Sequence, residues 1–144
     1  MDGKTYQSFT ELEVWKKSRQ FKKEIFDLVQ TFPDNGKYRL SDQAIRSSRG
    51  INSSIAEGHG RFTYKDQLHY CVIARGSLSE TYNHLIDAYD CSYITYEQLK
   101  YYKNKTDEIH RLLNGYIAHL RGKNEKTGSQ PRTLTVKHPN QPFH

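Results

Sequence analysis

Two Asp-x-x-His motifs are the closest approach to a metal site in this sequence. They are Asp66-x-x-His69 and Asp107-x-x-His110. Di-iron helical bundles hold their metals with carboxylate-x-x-His motifs on facing helices, but they use the longer glutamate. Each histidine here follows an apolar seam residue by one position, which turns it about 100° away from the apolar face of its helix. We therefore predict that the chain has no metal site.

Two arginine–histidine pairs could in principle serve acid–base chemistry on RNA. Arg61 precedes His69 and Arg111 precedes His119, but both spacings are wider than those of the small helical ribonucleases with such a pair. The sequence shows no Gly-rich phosphate loop, no Ser/His/Asp set and no plausibly placed Cys/His pair. We predict a protein without enzymatic activity and without a cofactor.

Phosphate binding is the third function considered, and more residues could take part in it. The chain holds 22 Lys+Arg against 16 Asp+Glu, a net charge of +6, and such an excess favours polyanions as partners. Lys16, Arg19 and Lys23 are spaced i, i+3, i+7 and share one outer stripe of a predicted helix. Carboxylates alternate with them, so an ordinary solvated face is the competing interpretation. The predicted phosphate contacts are Lys16, Lys17, Arg19, Lys23, Arg46, Arg49, Arg61 and Lys65.

Arg75 is unusual because it falls on a predicted apolar helix face. A buried guanidinium needs a partner, since an unpaired charge is costly to remove from water. Glu57 and Glu80 are the nearest plausible partners, so we predict that Glu57, Arg75 and Glu80 form a structural polar network within the chain or between subunits. Gly76 and Ser77 beside Arg75 would let another backbone come close.

A cluster of tyrosines surrounds one predicted turn. Stacking on bases and packing between subunits both suit tyrosine, and we favour subunit packing. The cluster comprises Tyr89, Tyr93, Tyr96, Tyr101 and Tyr102.

Four amphipathic segments must position these side chains. Apolar residues recur every three or four positions in each segment, which indicates helices. The segments cover about residues 11–31, 42–57, 64–90 and 96–121. The predicted apolar seam includes Arg75 and Tyr89 in the third segment and Tyr116 in the fourth. Residues 32–36 are typical of a turn, and the second segment is rich in small residues. The predicted N-terminal caps are Thr10 with Glu13, Ser41, Thr63, and Thr95 with Gln98.

Short connections between four helices favour antiparallel neighbours. We therefore predict an all-α fold, an up-down-up-down antiparallel four-helix bundle over residues 10–121. A short lead covers residues 1–9, and a basic, flexible tail covers residues 122–144. The sequence has no apolar run long enough for a membrane span and no secretory signal, so we expect a cytoplasmic protein without a membrane partner.

Several motifs carry a resemblance to a known family. They are Leu12-Glu13-Val14-Trp15, Phe32-Pro33, Ile55-Ala56-Glu57-Gly58, Gly60-Arg61, Ile73-Ala74-Arg75-Gly76-Ser77-Leu78 and Leu112-Leu113-Asn114-Gly115. With these motifs the chain resembles the four-helix-bundle family of 23S rRNA intervening-sequence proteins. The resemblance covers roughly residues 10–121 and is most specific in the second and third helices.

The resemblance implies a bacterial cytoplasmic protein that forms a ring-like homopentamer and has no established catalytic activity. A related branch is the accessory variability determinant of diversity-generating retroelements, which is basic, binds nucleic acid and partners a reverse transcriptase. The sequence departs from the family in several places, including Ser54, which replaces an asparagine, and the tail from Gly122, which has no counterpart. Asn52 replaces a proline in the second helix, and Ile45 replaces the first of two adjacent arginines, which leaves Arg46 alone.

The sequence thus predicts a non-enzymatic, homo-oligomeric bundle, a pentamer by resemblance, that associates with nucleic acid, above all RNA. The alternative is a protein-interaction scaffold, for example a reverse-transcriptase accessory subunit without a direct nucleic-acid role. In that case the excess of basic over acidic residues would serve only to keep the protein soluble.

Overall fold

A computed structural model of the chain describes residues 8–127, without the side chains of residues 34–38. A short 3-10 turn, Phe9–Glu11, precedes four α-helices. These are α1 (Glu13–Val29), α2 (Asp34–His59), α3 (Tyr64–Asp90) and α4 (Tyr96–Thr127). Between residues 8 and 127 there is no strand. Most of the predicted lead and the predicted tail beyond residue 127 lie outside the described residues.

The helices pack in their order along the chain. Each helix contacts the next, and α1 also contacts α4, which closes the bundle. Within residues 8–127 the diagonal pairs, α1 with α3 and α2 with α4, do not approach each other closely. Short connections make consecutive helices antiparallel. The predicted all-α, up-down-up-down four-helix bundle is therefore confirmed.

The buried faces follow the predicted seams in α1, α2 and most of α4, but not throughout α3. In α3 the structure buries Ala74 and Ala88, whereas the sequence pattern placed Arg75 and Tyr89 at the seam. The α4 seam shifts once, because Ile117 is buried where Tyr116 was predicted. Small alanines give a weak hydrophobic signal, so the larger neighbouring residue attracted the prediction.

Two of the predicted helix caps are confirmed at the atomic level. The Thr63 hydroxyl accepts a hydrogen bond from the Asp66 amide at 3.0 Å, at the start of α3. At the start of α4, Thr95 and Gln98 bond reciprocally: the Thr95 amide donates to Gln98 Oε1 at 2.8 Å, and the Gln98 amide to the Thr95 hydroxyl at 3.1 Å. This is a capping box, and it satisfies amides that the helix leaves unpaired.

The predicted starts of α1 and α2 are wrong. Ser8, rather than Thr10, caps the first turn, and α1 begins after Leu12 without a side-chain cap. The second helix begins directly after Pro33, so Ser41 lies inside it and is buried. Pro33 is the N-cap residue, with an extended backbone of φ −67° and ψ 157°, and the fixed φ of proline is compatible with this position. The proline therefore starts a helix where the sequence pattern suggested a longer turn.

The small residues of α2 let it lie close to α3. A β-carbon added at Gly58 would lie 2.7 Å from the Tyr70 Cβ, and one at Gly50 would lie 3.2 Å from the Ser77 hydroxyl. The Thr81 hydroxyl donates to the Ser47 hydroxyl across the same interface at 2.7 Å. Ser77 thus serves contact within the chain, which explains its small size without a second subunit.

The turn between α3 and α4 is built by backbone hydrogen bonds. The Ser92 amide bonds to the Tyr89 carbonyl at 2.9 Å, and the Tyr93 amide to the Ala88 carbonyl at 2.8 Å. Ser92 has a φ of 63°, in the left-handed region. These features define a Schellman motif, in which a left-handed residue ends the helix and satisfies its last carbonyls.

Candidate nucleic-acid interface

An open groove of about 580 Å³ lies between the N-terminal turn, α1 and α2. Phe9 and Trp15 supply aromatic rings to its lining, and Lys22, Arg46 and Arg49 supply cations. The remaining lining residues are small or uncharged, and no carboxylate belongs to the described lining. The groove therefore joins an apolar aromatic surface to concentrated positive charge.

Trp15 is held at the groove by its neighbours. It follows the buried Val14 by one position, which leaves the indole half-buried on the flank of α1 toward α2. Phe9 meets it edge to face, with ring centroids 5.2 Å apart and planes inclined at 68°. The Arg19 guanidinium carbon lies 5.8 Å from the indole centroid, which is cation–π distance. Arg19 thus lies at the rim of the groove.

Asn52 joins α1 to α2 beside the groove. It is buried, and its amide nitrogen donates to the Ser18 hydroxyl at 2.8 Å and to the Trp15 carbonyl at 3.2 Å. Its amide oxygen accepts a hydrogen bond from Lys22 Nζ at 3.0 Å. Helix α2 continues without interruption through this position, which the family resemblance assigns to proline.

Arg46 and Arg49 are exposed on the α2 side of the groove. Arg46 lies 3.6 Å from Asp42, but both side chains are more than half exposed, so this ion pair is weak and screened. Arg46 also lines a second depression of about 810 Å³ with Arg39, Asp42, Gln43 and Glu80. Two carboxylates in that second lining make it a poorer site for an anion.

The predicted phosphate contacts on α1 separate into two groups. Lys16, Arg19 and Lys23 are exposed, as predicted. Lys17 lies on the opposite flank and pairs with Glu108 of α4 at 3.2 Å. Lys17 therefore belongs to the contact between α1 and α4 rather than to the outer stripe.

Arg61 and Lys65 do not join the exposed set. Arg61 pairs with Glu57 at 2.9 Å, donates to the Tyr70 hydroxyl and lies 4.7 Å from that ring's centroid. The Tyr70 hydrogen bond is the main cause that raises the pKa of the Arg61 guanidinium. Lys65 is only 7% exposed, so the prediction that it contacts phosphate on the outer surface is wrong for the single chain.

Helix α4 is longer than the sequence predicted, and residues near both its end and the start of α3 are buried. The sequence predicted an end at Arg121, but α4 continues to Thr127. In an antiparallel pair, the last turns of α4 lie beside the first turns of α3. The extension is itself packed, because Asn124 is buried, and Thr63 and Gln67 on either side of Lys65 are buried too.

The predicted polar network does not form within one chain. Arg75 is half-buried and donates to Asn114 Oδ1 of α4 at 3.0 Å. Glu57 pairs with Arg61, and Glu80 lies 3.3 Å from His84 Nε2. The three residues therefore have separate partners, because Ala74 rather than Arg75 faces the core. A network between subunits stays a prediction.

The described residues offer no support for the metal or nuclease interpretations. Among them, no three His, Cys, Asp or Glu side chains are grouped as a metal site. Asp107 is bound by Lys103 at 2.8 Å, and the His69 ring packs edge to face on Tyr70. Burial raises the pKa of the Cys71 thiol to about 12, so this thiol is a packed group and a poor nucleophile.

The tyrosine cluster has an inner and an outer part. Tyr102 is buried, and burial raises the pKa of its hydroxyl to about 12. Tyr93 packs on Phe32 with ring centroids 5.2 Å apart. Tyr89, Tyr96 and Tyr101 are exposed, and Lys100 Nζ lies 5.5 Å from the centroid of the Tyr96 ring. These outer rings are accessible both to bases and to another subunit.

Sequence reasoning missed the aromatic part of the groove. Trp15, Arg19 and Lys22 are spaced i, i+4, i+7, which places them on one helix face. That spacing is a usable signal for an aromatic ring among cations, whereas the family motif that contains Trp15 gives no hint of a groove. Phe9 could not have been assigned, because its position depends on a non-helical turn.

Comparison with known proteins decides the family. The pattern of the 23S rRNA-intervening sequence protein family matches residues 10–115. The chain belongs to this family. The match includes α1, α2, α3 and most of α4, and with them nearly the whole groove. No curated protein matches the chain significantly.

A solved structure agrees with the family assignment. It is a protein of unknown function from the S23 ribosomal protein family of Bacteroides thetaiotaomicron, with a TM-score of 0.68 and 29% sequence identity. The alignment covers 73% of this chain and 95% of that chain. Among residues 8–127, no helix has the length and apolar character needed to cross a membrane.

Proposed function

We propose that the chain is a non-enzymatic, homo-oligomeric bundle that binds RNA through its basic outer surface. The observation that carries the proposal is the set of exposed cations on α1 and α2, of which Arg46 and Arg49 line the groove. We call this set the α1–α2 basic surface. It comprises Lys16, Arg19, Lys23, Arg46 and Arg49.

These cations are available to an external anion. Among the described residues, Lys16, Lys23 and Arg49 form no ion pair, and Arg19 has only the Trp15 ring as a partner. Cations that are not neutralised within the fold can release counterions from nucleic acid when they bind it. RNA is the preferred polyanion because the family is described by an rRNA intervening sequence and the solved relative by a ribosomal-protein family.

Assembly into a ring would strengthen a surface that is only modestly charged. A closed homo-oligomer, which we propose to be a pentamer, presents the same basic surface several times. Several weak contacts to one RNA molecule then act together, because binding of the first subunit raises the local concentration for the next.

The test is RNA binding measured by fluorescence anisotropy at several salt concentrations. The variant Lys16→Gln/Lys23→Gln removes two exposed charges of the basic surface. It should weaken binding to structured RNA and lower the slope of log K against log salt by about one for each phosphate that the variant no longer binds. The matched control is Lys100→Gln/Arg111→Gln, which removes two exposed charges from α4.

Equal weakening in both variants would contradict a localised surface, and no binding by the unmodified chain at low salt would contradict RNA binding itself. In the second case the basic balance would serve solubility, and the bundle would be a protein scaffold. Circular dichroism on each variant separates a failure to bind from a failure to fold.

A further inference from the structure

We propose that the groove between α1 and α2 binds a single-stranded nucleotide, with its base against Trp15 and Phe9 and its phosphate beside Arg46 and Arg49. This inference rests on the proposed function. Charge alone would bind any nucleic acid. The groove adds a defined site and a preference for unpaired RNA.

The size and lining of the groove suit a base. Its volume of about 580 Å³ lies within the roughly 300–1,000 Å³ of sites for small ligands. Aromatic side chains bind bases by stacking, which tolerates any base because every base has a π-face. On the α2 side, Gly50, Ser53 and Ala56 line the groove with small side chains, so a flat ring can enter without displacing a bulky residue.

The charge of the groove suits a phosphate. Lys22, Arg46 and Arg49 all belong to its lining, and the described lining has no carboxylate to repel an anion. The nearest ion pair, Arg46 with Asp42, is long at 3.6 Å and well exposed, so Arg46 can turn to a phosphate at little cost. An aromatic surface beside two exposed guanidinium groups can hold both the base and the phosphate of a nucleotide.

The groove is already formed without a ligand. Asn52 bonds to Ser18, to the Trp15 carbonyl and to Lys22, so α1 and α2 are fixed relative to each other at the floor of the groove. A site that is organised before binding loses less conformational freedom when the ligand enters.

These features favour a single strand over a duplex. In a duplex the faces of the bases are stacked inside, and a groove lined by aromatic rings cannot reach them. An unpaired nucleotide can turn its base out of the strand and into the groove. Duplex RNA would then contact the exposed lysines of α1 without using Trp15.

The chain provides its own probe, because Trp15 is its single tryptophan. The experiment titrates the full chain with a short fluorescein-labelled oligouridylate and with duplex RNA of equal length. Anisotropy reports binding, and a parallel titration with unlabelled RNA reports indole fluorescence. We expect the oligouridylate to quench the indole in step with binding and the duplex to leave it nearly unchanged.

Three variants test the geometry. Trp15→Leu should weaken oligouridylate binding by about tenfold, the order expected when one stacked base is released, while Trp15→Phe should recover most of the affinity. Ser53→Gln fills the groove from an exposed position on α2 and should weaken binding without touching the core. The matched control is Tyr96→Leu, an exposed aromatic with a lysine above its ring, which should change affinity less than about twofold.

The outcomes separate the two proposals. Salt-dependent RNA binding without indole quenching, and with Trp15→Leu equal to Tyr96→Leu, would overturn the nucleotide site and leave the proposed function standing. The absence of all RNA binding at low salt would overturn both. Quenching by an acidic peptide but not by oligouridylate would also overturn the nucleotide site and assign the groove to a protein partner.

Discussion

At the scale of single residues, the Asn52 side chain links α1 to α2. Asn52 stands where the resemblance expects proline, and its side chain makes three hydrogen bonds between α1 and α2. Proline could make none of them, and it would remove a backbone donor from α2. With asparagine at this position, α2 keeps its backbone donor and gains side-chain hydrogen bonds to α1. These bonds lie directly under the groove.

The two cysteines should differ sharply in reactivity. Burial raises the pKa of Cys71 to about 12, whereas Cys91 is exposed. The thiolate is the reactive form, so iodoacetamide at about pH 8 should modify Cys91 alone in the folded chain and both thiols after denaturation. Mass spectrometry of the modified peptides measures this. Modification of Cys71 in the folded chain at a rate near that of Cys91 would contradict its burial.

The raised pKa of the Cys71 thiol also predicts how the free energy of unfolding depends on pH. The folded-state pKa of Cys71, about 12, lies above its ordinary value of 9.0, so only the unfolded chain ionises between these values. The contribution to the free energy of unfolding is complete below pH 9.0 and is lost as the pH rises toward 12. Urea titrations across this window should show a shallower decline for Cys71→Ala than for Cys91→Ala. Parallel declines would count against the assignment.

At the scale of the elements, the ends of helices and their buried faces are predicted from different sequence signals. The starts of α3 and α4 were predicted because Thr63 and Thr95 with Gln98 bond to amides a few residues away. The start of α2 was missed because Pro33 can begin a helix or belong to a turn, and neighbouring residues do not decide between them. The α3 face was misplaced because the buried Ala74 and Ala88 give a weaker hydrophobic signal than larger residues do.

The close approach of α2 and α3 makes a matched pair of glycine substitutions informative. Gly58→Ala brings a β-carbon to 2.7 Å from the Tyr70 Cβ and should lower the free energy of unfolding by about 1–3 kcal/mol through overpacking. Gly115→Ala on α4 meets no atom within 4 Å and should raise stability by up to about 1 kcal/mol, because alanine favours helices. Urea denaturation measures both. Equal effects would show that helix propensity alone governs these positions.

At the scale of the whole molecule, the bundle leaves an apolar patch on α3 facing outward. Val72 is 45% exposed and Ile73 is 40% exposed. The adjacent Gly76 has open space around it, so another backbone could lie close to this part of α3. Exposed neighbouring apolar side chains of this kind are typical of protein contact surfaces. The proposed homo-oligomer would cover them with a second copy of the chain.

Charge on this patch should therefore prevent assembly. The variant Val72→Glu/Ile73→Glu should reduce the mass in solution to that of one chain, 16.9 kDa, because burying two carboxylates without partners is costly. Light scattering coupled to size exclusion measures the mass, and the unmodified chain should give five times the chain mass. Phe26→Glu on α1 changes an exposed apolar residue elsewhere and should assemble normally. An assembled double variant would place the interface on another face.

The sequence by itself determined the class of fold, the number of helices and most of the core, because apolar periodicity and local capping depend on residues only a few positions apart. It also identified the exposed cations Lys16, Arg19 and Lys23, since one helix suffices to place them. Only the tertiary structure decided that Lys65 is buried, that Arg75 pairs with Asn114, and that Phe9 and Trp15 meet Arg46 and Arg49 at one groove. These outcomes depend on which flank of a helix faces a neighbour and on how closely small residues let two backbones approach. Both are set by contacts between residues that are far apart in the chain, and local patterns do not contain that information.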